Sequence, residues 1–328
     1  MRFAILITLI LFSLCGKSQT YQADSLSGFN TFFIPSESPN KGRLTGVGAT
    51  IGTVYAGASV ALYNIWYKDF PLGKFRSFND NGEWLQMDKG GHGLSAYYET
   101  VWAYGLYNWA GLEENKAIMY SAITSTVVQS TIEIFDGFSE EWGFSWGDVA
   151  ANTFGTGLAA GQQLAWGEQR MMLKVSFHPQ QHEPDLEARA LELYGSAFTE
   201  KLFKDYNGLT YWFSLNPSSF MSKDNWFPDW LNVAVGYGAN NLYGGFANQW
   251  CSDSGIKPED CPDEQLIIRN DVPRQRQYYL SLDIDFTKIE TQKPFLKTLF
   301  GVIGVLKIPS PTLELRQGEG LKGHWIYF

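Results

Sequence analysis

The first half of the chain takes its character from the stretch Ser145-Trp146-Gly147-Asp148-Val149-Ala150-Ala151-Asn152-Thr153-Phe154-Gly155. Ser145 and Asp148 have the spacing of a capping box, in which a serine hydroxyl and an acidic side chain both favour the first turn of a helix. Asp148, Asn152 and Gly155 then fall on one helical face, at i, i+4 and i+7. The stretch therefore predicts a helix over 145–166 with one polar face.

Three further helices are predicted before this one, over 44–66, 91–112 and 115–135. The first has no charged residue over 23 positions, which is long enough for a membrane span. Its many Gly, Ala, Ser and Thr residues suit close helix packing equally well. Two arrangements stay open: a four-helix unit embedded in a membrane, and a bundle that rests on a membrane surface.

After about residue 167 the pattern changes from helical to strand-like. Over 278–286 apolar residues alternate with polar ones, which is the period of a half-buried strand. In this pattern Asp283 and Asp285 are expected to face solvent. The predicted fold class is α+β: an N-terminal four-helix apolar bundle, followed by a short antiparallel sheet with one or two helices. The predicted divisions are a signal peptide (1–18), an exported segment (19–43), the helical domain (44–167) and the C-terminal region (168–328).

The polar residues that could take part in binding or catalysis are concentrated in the predicted apolar helices. Charged groups inside an apolar bundle are costly unless they are paired, so these residues are expected to lie against one another. A histidine beside carboxylates is suited to general acid–base work. The candidate catalytic residues are His92, Glu133 and Asp136. The candidate ligand-binding residues are Asp88, Lys89, Ser145, Asp148 and Asn152.

Other roles for the same residues stay open. A polar network can simply fix the helix register. One histidine with three carboxylates would suit Mg or Mn better than structural Zn, but no metal is assigned and the cofactor is left unknown. The chain has no Gly-rich phosphate loop, no His-Glu-x-x-His and no Gly-x-Ser-x-Gly. Whether the protein is an enzyme is therefore left open.

The N-terminus has the pattern of a secretory signal peptide. A basic start at Arg2 is followed by an apolar run over 3–14 and by small residues suited to cleavage. Lipidation at Cys15 is left open, because Leu14 is not the small residue that lipoprotein processing prefers. Cys251 and Cys261 are ten residues apart in a polar loop, which in an exported chain predicts a disulfide.

Composition indicates a location better than a reaction. The net charge of −9 argues against nucleic acid as a partner, since a nucleic-acid-binding protein carries a basic surface. Aromatic residues make up 16% of the chain, and such side chains suit membrane–water interfaces. A membrane or a membrane lipid is the expected partner, and other envelope proteins are a further class.

The polar positions also resemble a known family. The order Asp88-Lys89-x-x-His92, then Glu133-x-x-Asp136-Gly137, then Ser145-x-x-Asp148-x-x-x-Asn152-x-x-Gly155 is similar to the YfiM-like predicted periplasmic lipoproteins. The resemblance covers residues 44–165, and the aromatic C-terminal end resembles longer members from Bacteroidetes-type bacteria. VanZ-like membrane proteins are more distantly similar; they usually have Gln where this chain has Asp136, and an Arg before the position of Ser145. Neither family implies an established reaction, and both imply a cell-envelope setting.

Taken together, these patterns predict an exported protein of the cell envelope, periplasmic or at the outer membrane. The first hypothesis is that the polar cluster binds an envelope lipid- or glycan-like ligand. The second is an envelope enzyme that uses His92 with Glu133 or Asp136 as an acid–base pair. The third is a structural component of an outer-membrane assembly, in which the cluster serves stability alone.

Overall fold

The computed structural model describes residues 28–64, 68, 71–222, 224–253 and 256–327. The predicted signal peptide, Cys15 and the end of the first predicted helix at Trp66 lie outside these residues. Within them the fold is α+β, with eight α-helices and an antiparallel sheet of six strands. The predicted fold class is confirmed at this level.

Five helices form the first half of the described chain. They are α1 (Gly28–Phe32), α2 (Lys41–Leu62), α3 (Met87–Trp109), α4 (Glu114–Phe138) and α5 (Trp146–Trp166). The Ser145 hydroxyl caps α5 by accepting the backbone N–H of Asp148 at 3.1 Å, as its spacing predicts. α3 begins four residues before the predicted start and contains Gly90. A Cβ there would lie 2.4 Å from Tyr211 Cδ2, so the glycine lets α3 approach the sheet.

The helical packing differs from the predicted bundle of four. α3 is the central helix, and α4 and α5 pack against it. α2 is attached mainly by its first turns: Val47, its one buried residue, contacts Leu106 and Trp109 near the end of α3. Arg43 Nη1 also donates to the Trp109 carbonyl at 2.8 Å. The rest of α2 is largely exposed, so the packed unit has three helices.

The second half combines the main sheet with a small hairpin and short helices. The strands are β1 (Met171–Phe177), β2 (Leu209–Leu215), β3 (Leu231–Asn240), β4 (Gln249–Cys251), β5 (Leu266–Ile268), β6 (Gln275–Ile284), β7 (Ser310–Arg316) and β8 (Gly320–Tyr327). The main sheet has the order β1-β2-β3-β6-β7-β8, and β4 pairs with β5. Three short helices accompany them, more than the one or two expected: α6 (Glu187–Tyr194), α7 (Phe198–Lys204) and α8 (Pro294–Ile303).

The buried face of the sheet is the polar one. Leu280 and Leu282 are about half exposed, whereas Ser281 and Asp283 between and beyond them are buried. The expectation that Asp283 and Asp285 are solvated is therefore wrong, since both have no exposed surface. Asp283 is neutralised by Lys174 on β1, whose Nζ lies 2.7 Å from its Oδ2. Because an ion pair is available inside, the polar face can turn inward.

The sheet curls enough to join distant strands. The Tyr327 hydroxyl on β8 donates to the Tyr279 hydroxyl on β6 at 2.6 Å and lies 3.4 Å from Thr210 Oγ1 on β2. The outer side of β1 and β2 packs on α3, where the Tyr97 hydroxyl donates to the Met171 carbonyl. The helical unit and the sheet therefore share one interface. Cys251 on β4 forms a disulfide with Cys261.

Candidate functional site

The polar residues singled out in the sequence meet at one end of the three-helix unit. Consecutive antiparallel helices place the start of α3, the end of α4 and the start of α5 side by side. α3 contributes Asp88, Lys89 and His92, α4 contributes Glu133, and α5 with its cap contributes Ser145, Asp148 and Asn152. We call this set, together with Asp80 from the preceding loop, the polar cluster.

Close approach of α3 and α5 brings these side chains within reach. A Cβ on Gly155 would lie 2.1 Å from the backbone oxygen of Gly93 and 2.9 Å from the backbone nitrogen of Tyr97. A glycine is therefore required at 155 for this helix spacing. Gly155 shares a helical face with Asp148 and Asn152. This is the polar face of α5, and it is the face that meets α3.

Lys89 is the centre of one half of the cluster. Its Nζ lies 2.7 Å from Asp80 Oδ1, 2.9 Å from Asp88 Oδ2 and 2.8 Å from Asp148 Oδ1. The three N–H donors of an ammonium group match these three carboxylates. Asp80 also accepts the Ser145 hydroxyl at 2.6 Å. Sequence reasoning missed Asp80, since it lies in a loop with no periodic pattern.

His92 is the centre of the other half. Its Nδ1 lies 3.3 Å from Asn152 Oδ1 and 3.4 Å from Glu133 Oε1, and its Nε2 lies 3.6 Å from Asp148 Oδ1. Asn152 Nδ2 donates to the same Glu133 oxygen at 3.3 Å. Both ring nitrogens thus face oxygen atoms. Burial raises the pKa of the facing Glu133 carboxyl group to about 7, so this group can hold a proton towards the ring near neutral pH.

Acceptors outnumber donors in the cluster. Four carboxylates face one lysine and one histidine. Glu133 is 1% exposed, and its Oε2 has no hydrogen-bond partner among the described residues, although the backbone amide of Ser145 is near enough to influence the carboxyl group. A buried carboxylate oxygen without a partner is costly. The cluster therefore has unused capacity to accept a proton, a cation or a donor group.

Two sets of three side chains have the spacing of a cation site. In each, the candidate ligand atoms lie within 4.8 Å of one another. The set of Asp80, Asp88 and Asp148 surrounds the Lys89 ammonium, which already supplies the positive charge. The set of His92, Glu133 and Asp148 has one nitrogen and two carboxylate ligands, a combination that suits several divalent cations.

Charges around the loop before α3 shift two further carboxyl groups. Burial alone would raise the pKa of Asp80, but hydrogen bonds from Lys89 and Ser145 lower it. Burial, aided by the charges of Asp88 and Asp80, raises the pKa of Glu83 to about 7. Glu83 therefore exchanges a proton near neutral pH at the edge of the cluster.

A left-handed turn sets the start of α3. Trp84, Leu85 and Gln86 have φ values of 46°, 52° and 66°, which are unfavourable for residues with side chains. The C-terminal half holds this turn. The Tyr237 hydroxyl donates to the Leu85 carbonyl, and Arg276 Nη2 donates to Gln86 Oε1 at 2.9 Å. The placement of the cluster thus depends on the sheet, which the sequence did not reveal.

A second polar group lies deeper between the helices. Gln129 Nε2 donates to Glu99 Oε1 at 2.8 Å, and Ser125 Oγ contacts Glu99 Oε2 and Thr156 Oγ1. Sequence reasoning missed it. The signal was present, because a ladder of buried polar residues at intervals of four runs along α4 to Glu133: Ser121, Ser125, Gln129 and Glu133.

Asp136, the third candidate catalytic residue, lies next to the polar cluster on α4. It lies one turn beyond Glu133 and is half-buried, and its charge acts on the Glu133 carboxyl group. Glu133 faces the His92 ring directly, with its Oε1 3.4 Å from Nδ1.

Comparison with known proteins adds the cellular setting. The model of a family described as "Predicted periplasmic lipoprotein (DUF2279)" matches residues 77–163. That range contains the whole polar cluster and α3 to most of α5. No curated protein and no solved structure matches the chain. The match confirms a cell-envelope, periplasmic localisation and an exported protein without an assigned activity, and it fits association with a membrane.

Proposed function

We propose that this envelope protein binds a donor-rich polar group of an envelope lipid or glycan at the polar cluster. The observation that carries the proposal is the excess of acceptor oxygens around His92, with the buried Glu133 Oε2 lacking a partner among the described residues. A site with this charge favours hydroxyl or ammonium groups and disfavours a bare phosphate.

A second candidate function is acid–base catalysis on the same ligand. The favouring observation is that the two nitrogens of His92 face Glu133 and Asp148 at 3.4 and 3.6 Å. A neutral ring held between two carboxyl groups can take a proton from a ligand hydroxyl at one nitrogen. The N–H at its other nitrogen meanwhile keeps its contact with a carboxylate. The ring is 22% exposed, so it is the member of this trio most open to a ligand.

The test compares stability with binding and phenotype. We would make His92→Ala and Glu133→Gln, and measure the thermal midpoint, the binding of phosphatidylethanolamine vesicles and of soluble envelope glycans, and cellular detergent sensitivity. Retained stability with lost binding and a deletion-like phenotype supports a site. If both variants unfold, the proposal is contradicted, and the cluster serves the stability of the fold instead.

Gln163→Ala is the matched control. Gln163 is buried in α5 like Asn152, but it lies at the opposite end, where its amide donates to the Tyr104 hydroxyl at 3.0 Å. This variant should lose some stability without losing ligand binding. An equal loss of binding in Gln163→Ala would show that the effect is not local to the cluster.

A further inference from the structure

The outward face of α4 is mostly apolar, with Thr126 and Ser130 as its exposed polar residues between Met119 and Phe138. Val127, near its middle, is 57% exposed, and residues 117–132 include no charged side chain. The large exposed apolar residues of this helix are Met119, Tyr120, Ile123, Val127, Ile134, Phe135 and Phe138. A contiguous apolar face of this length marks an interaction surface on a protein exposed to water.

α5 continues the same face. Its only charged residue, Asp148, points inward to Lys89, and the outward side carries Phe154 and Leu164, which are 56% and 62% exposed. Tryptophans lie at both ends: Trp146 is 70% exposed and Trp166 is 36% exposed. Tryptophan prefers the two membrane–water interfaces, where its ring contacts the apolar region and its N–H reaches water or headgroups.

Polar residues fill the inside of the same helices. The polar ladder of α4 and residues such as Thr156 and Gln162 on α5 are buried. A helix on the surface of a water-soluble bundle has the reverse arrangement, with the apolar stripe inward. Polar groups turned inward and apolar groups turned outward are typical of helices in lipid.

The dimensions match a bilayer. At 1.5 Å per residue, the distance from Trp146 to Trp166 is about 30 Å, and Met119 to Phe138 covers about 28 Å. The hydrocarbon core of a bilayer is about 30 Å thick. We call the outward faces of these two stretches the apolar belt. The exposed charged pair of Glu113 and Lys116 lies outside it, at the start of α4. The two acidic residues of α4 within its length, Glu133 and Asp136, lie at the end beside the polar cluster.

We propose that α4 and α5 are embedded in a bilayer, with their outward faces against lipid acyl chains and the polar cluster at the level of the headgroups. The cluster lies at the Trp146 end of α5, which places it at one interface. Judged by overall composition, α2 is the one helix in the described part of the chain that is long and apolar enough to cross a membrane, and it is mostly exposed. α4 and α5 do not meet that criterion, since their inward faces carry buried polar residues, so the proposal rests on their outward faces. The inference rests on surface chemistry and not on what the cluster binds.

Lipid explains the face better than a second copy of the chain. A self-association surface has no need of a belt as thick as a bilayer, nor of tryptophans at both borders. The length, the borders and the uncharged interval all follow from a hydrocarbon slab between two aqueous phases.

Carbene photolabelling tests the proposal on the unaltered full chain. The protein is reconstituted in phosphatidylethanolamine–phosphatidylglycerol vesicles with a diazirine probe that partitions among acyl chains, and labelled peptides are mapped by mass spectrometry. Peptides from α4 and α5 should be labelled at least several-fold more than peptides from α6 and α7. The latter are an internal control, because they also expose large apolar residues, Leu191, Phe198 and Phe203, but among charges. Equal labelling, or no labelling of α4 and α5, overturns the proposal.

A charge placed in the belt gives an independent measurement. Val127→Lys should reduce the fraction that resists alkaline carbonate extraction by about tenfold, because a lysine in mid-bilayer is costly. Leu191→Lys, on α6, should leave that fraction unchanged. Equal extraction of both variants overturns the proposal, as does conversion of a dimer to a folded soluble monomer by Val127→Lys. His92→Ala leaves the belt intact, so failure of the ligand proposal does not alter these results.

Discussion

Lys89 Nζ lies 2.8 Å from Asp148 Oδ1, so this ion pair joins the first turn of α3 to the first turn of α5. The same ammonium group holds Asp80 and Asp88, and its side chain is 13% exposed. Lys89 therefore pairs with three carboxylates, from a loop and two helices, and its single charge offsets only part of their negative charge. The remaining acceptors, around His92, are left for a ligand or a proton.

Removing the ammonium group should be costly. Lys89→Met leaves three partly buried carboxylates without their common partner, and we expect a loss of about 3–5 kcal/mol in the free energy of unfolding. Lys116→Met is the control, because its pair with Glu113 is more than half exposed, and it should cost less than about 1 kcal/mol. Denaturant unfolding in detergent measures both. Similar losses in the two variants would contradict the central role of Lys89.

Glycines on opposite faces of α5 should respond in opposite ways. Gly155→Ala places a Cβ against the Gly93 carbonyl oxygen and should cost about 2–4 kcal/mol by separating α3 from α5. At Gly157 a Cβ meets nothing within 4 Å, so Gly157→Ala should be neutral or stabilise the helix by up to about 1 kcal/mol. Thermal midpoints decide. A harmless Gly155→Ala would show that the helices are not in close contact there.

Because the pKa of Glu83 is raised, we expect the free energy of unfolding to fall as the pH rises towards neutrality. Its pKa is about 7 in the folded protein against an ordinary 4.5, so between these values the folded state binds more protons than the unfolded state. Stability is then lost as the pH rises through this window. Glu83→Gln should remove this component. Unfolding at about pH 5 and about pH 8 should show a smaller decline in the variant than in the wild type, while exposed Glu113→Gln keeps the wild-type profile.

Because the left-handed turn is held by side chains of the sheet, we expect the stability of the start of α3 to depend on them. Tyr237→Phe removes the hydroxyl that donates to the Leu85 carbonyl, at an expected cost of about 1 kcal/mol. Amide hydrogen exchange over 84–92 should accelerate more than exchange in α4. Tyr278→Phe, on the next strand with a 45% exposed side chain, is the control. Unchanged protection over 84–92 would mean that the turn does not need this bond.

The buried pair of Lys174 and Asp283 allows a double-variant cycle. Lys174→Met alone should cost about 3–5 kcal/mol, because it leaves a carboxylate with no exposed surface and no cation at 2.7 Å. Lys174→Met with Asp283→Leu should recover part of that loss, limited by the Ser214 hydroxyl that donates to Asp283. A double variant less stable than the sum of the single effects would show that the pair does not act as a unit.

Local sequence signals predicted much of the helical unit. The cap at Ser145, the polar face of Asp148 and Asn152, and the separate segments with Lys89 and Glu133 all depend on spacing within one helix. Asp80 and the turn at Trp84–Gln86 were missed, because their roles depend on Lys89 and on Tyr237, which are distant partners. The orientation of Asp283 was predicted wrongly for a similar reason, since its inward partner is Lys174 on another strand.

The sequence by itself determined the α+β class, the helical periods, the strand alternation and the identity of most cluster residues. These features follow from contacts within a few residues, where spacing fixes which side chains share a face. Only the tertiary structure decided which face is inside. Burial of a polar face is favourable only where partners from other elements neutralise it, and those partners are brought together by folding. The apolar exterior, and with it the proposed contact with lipid, is a consequence of that three-dimensional pairing.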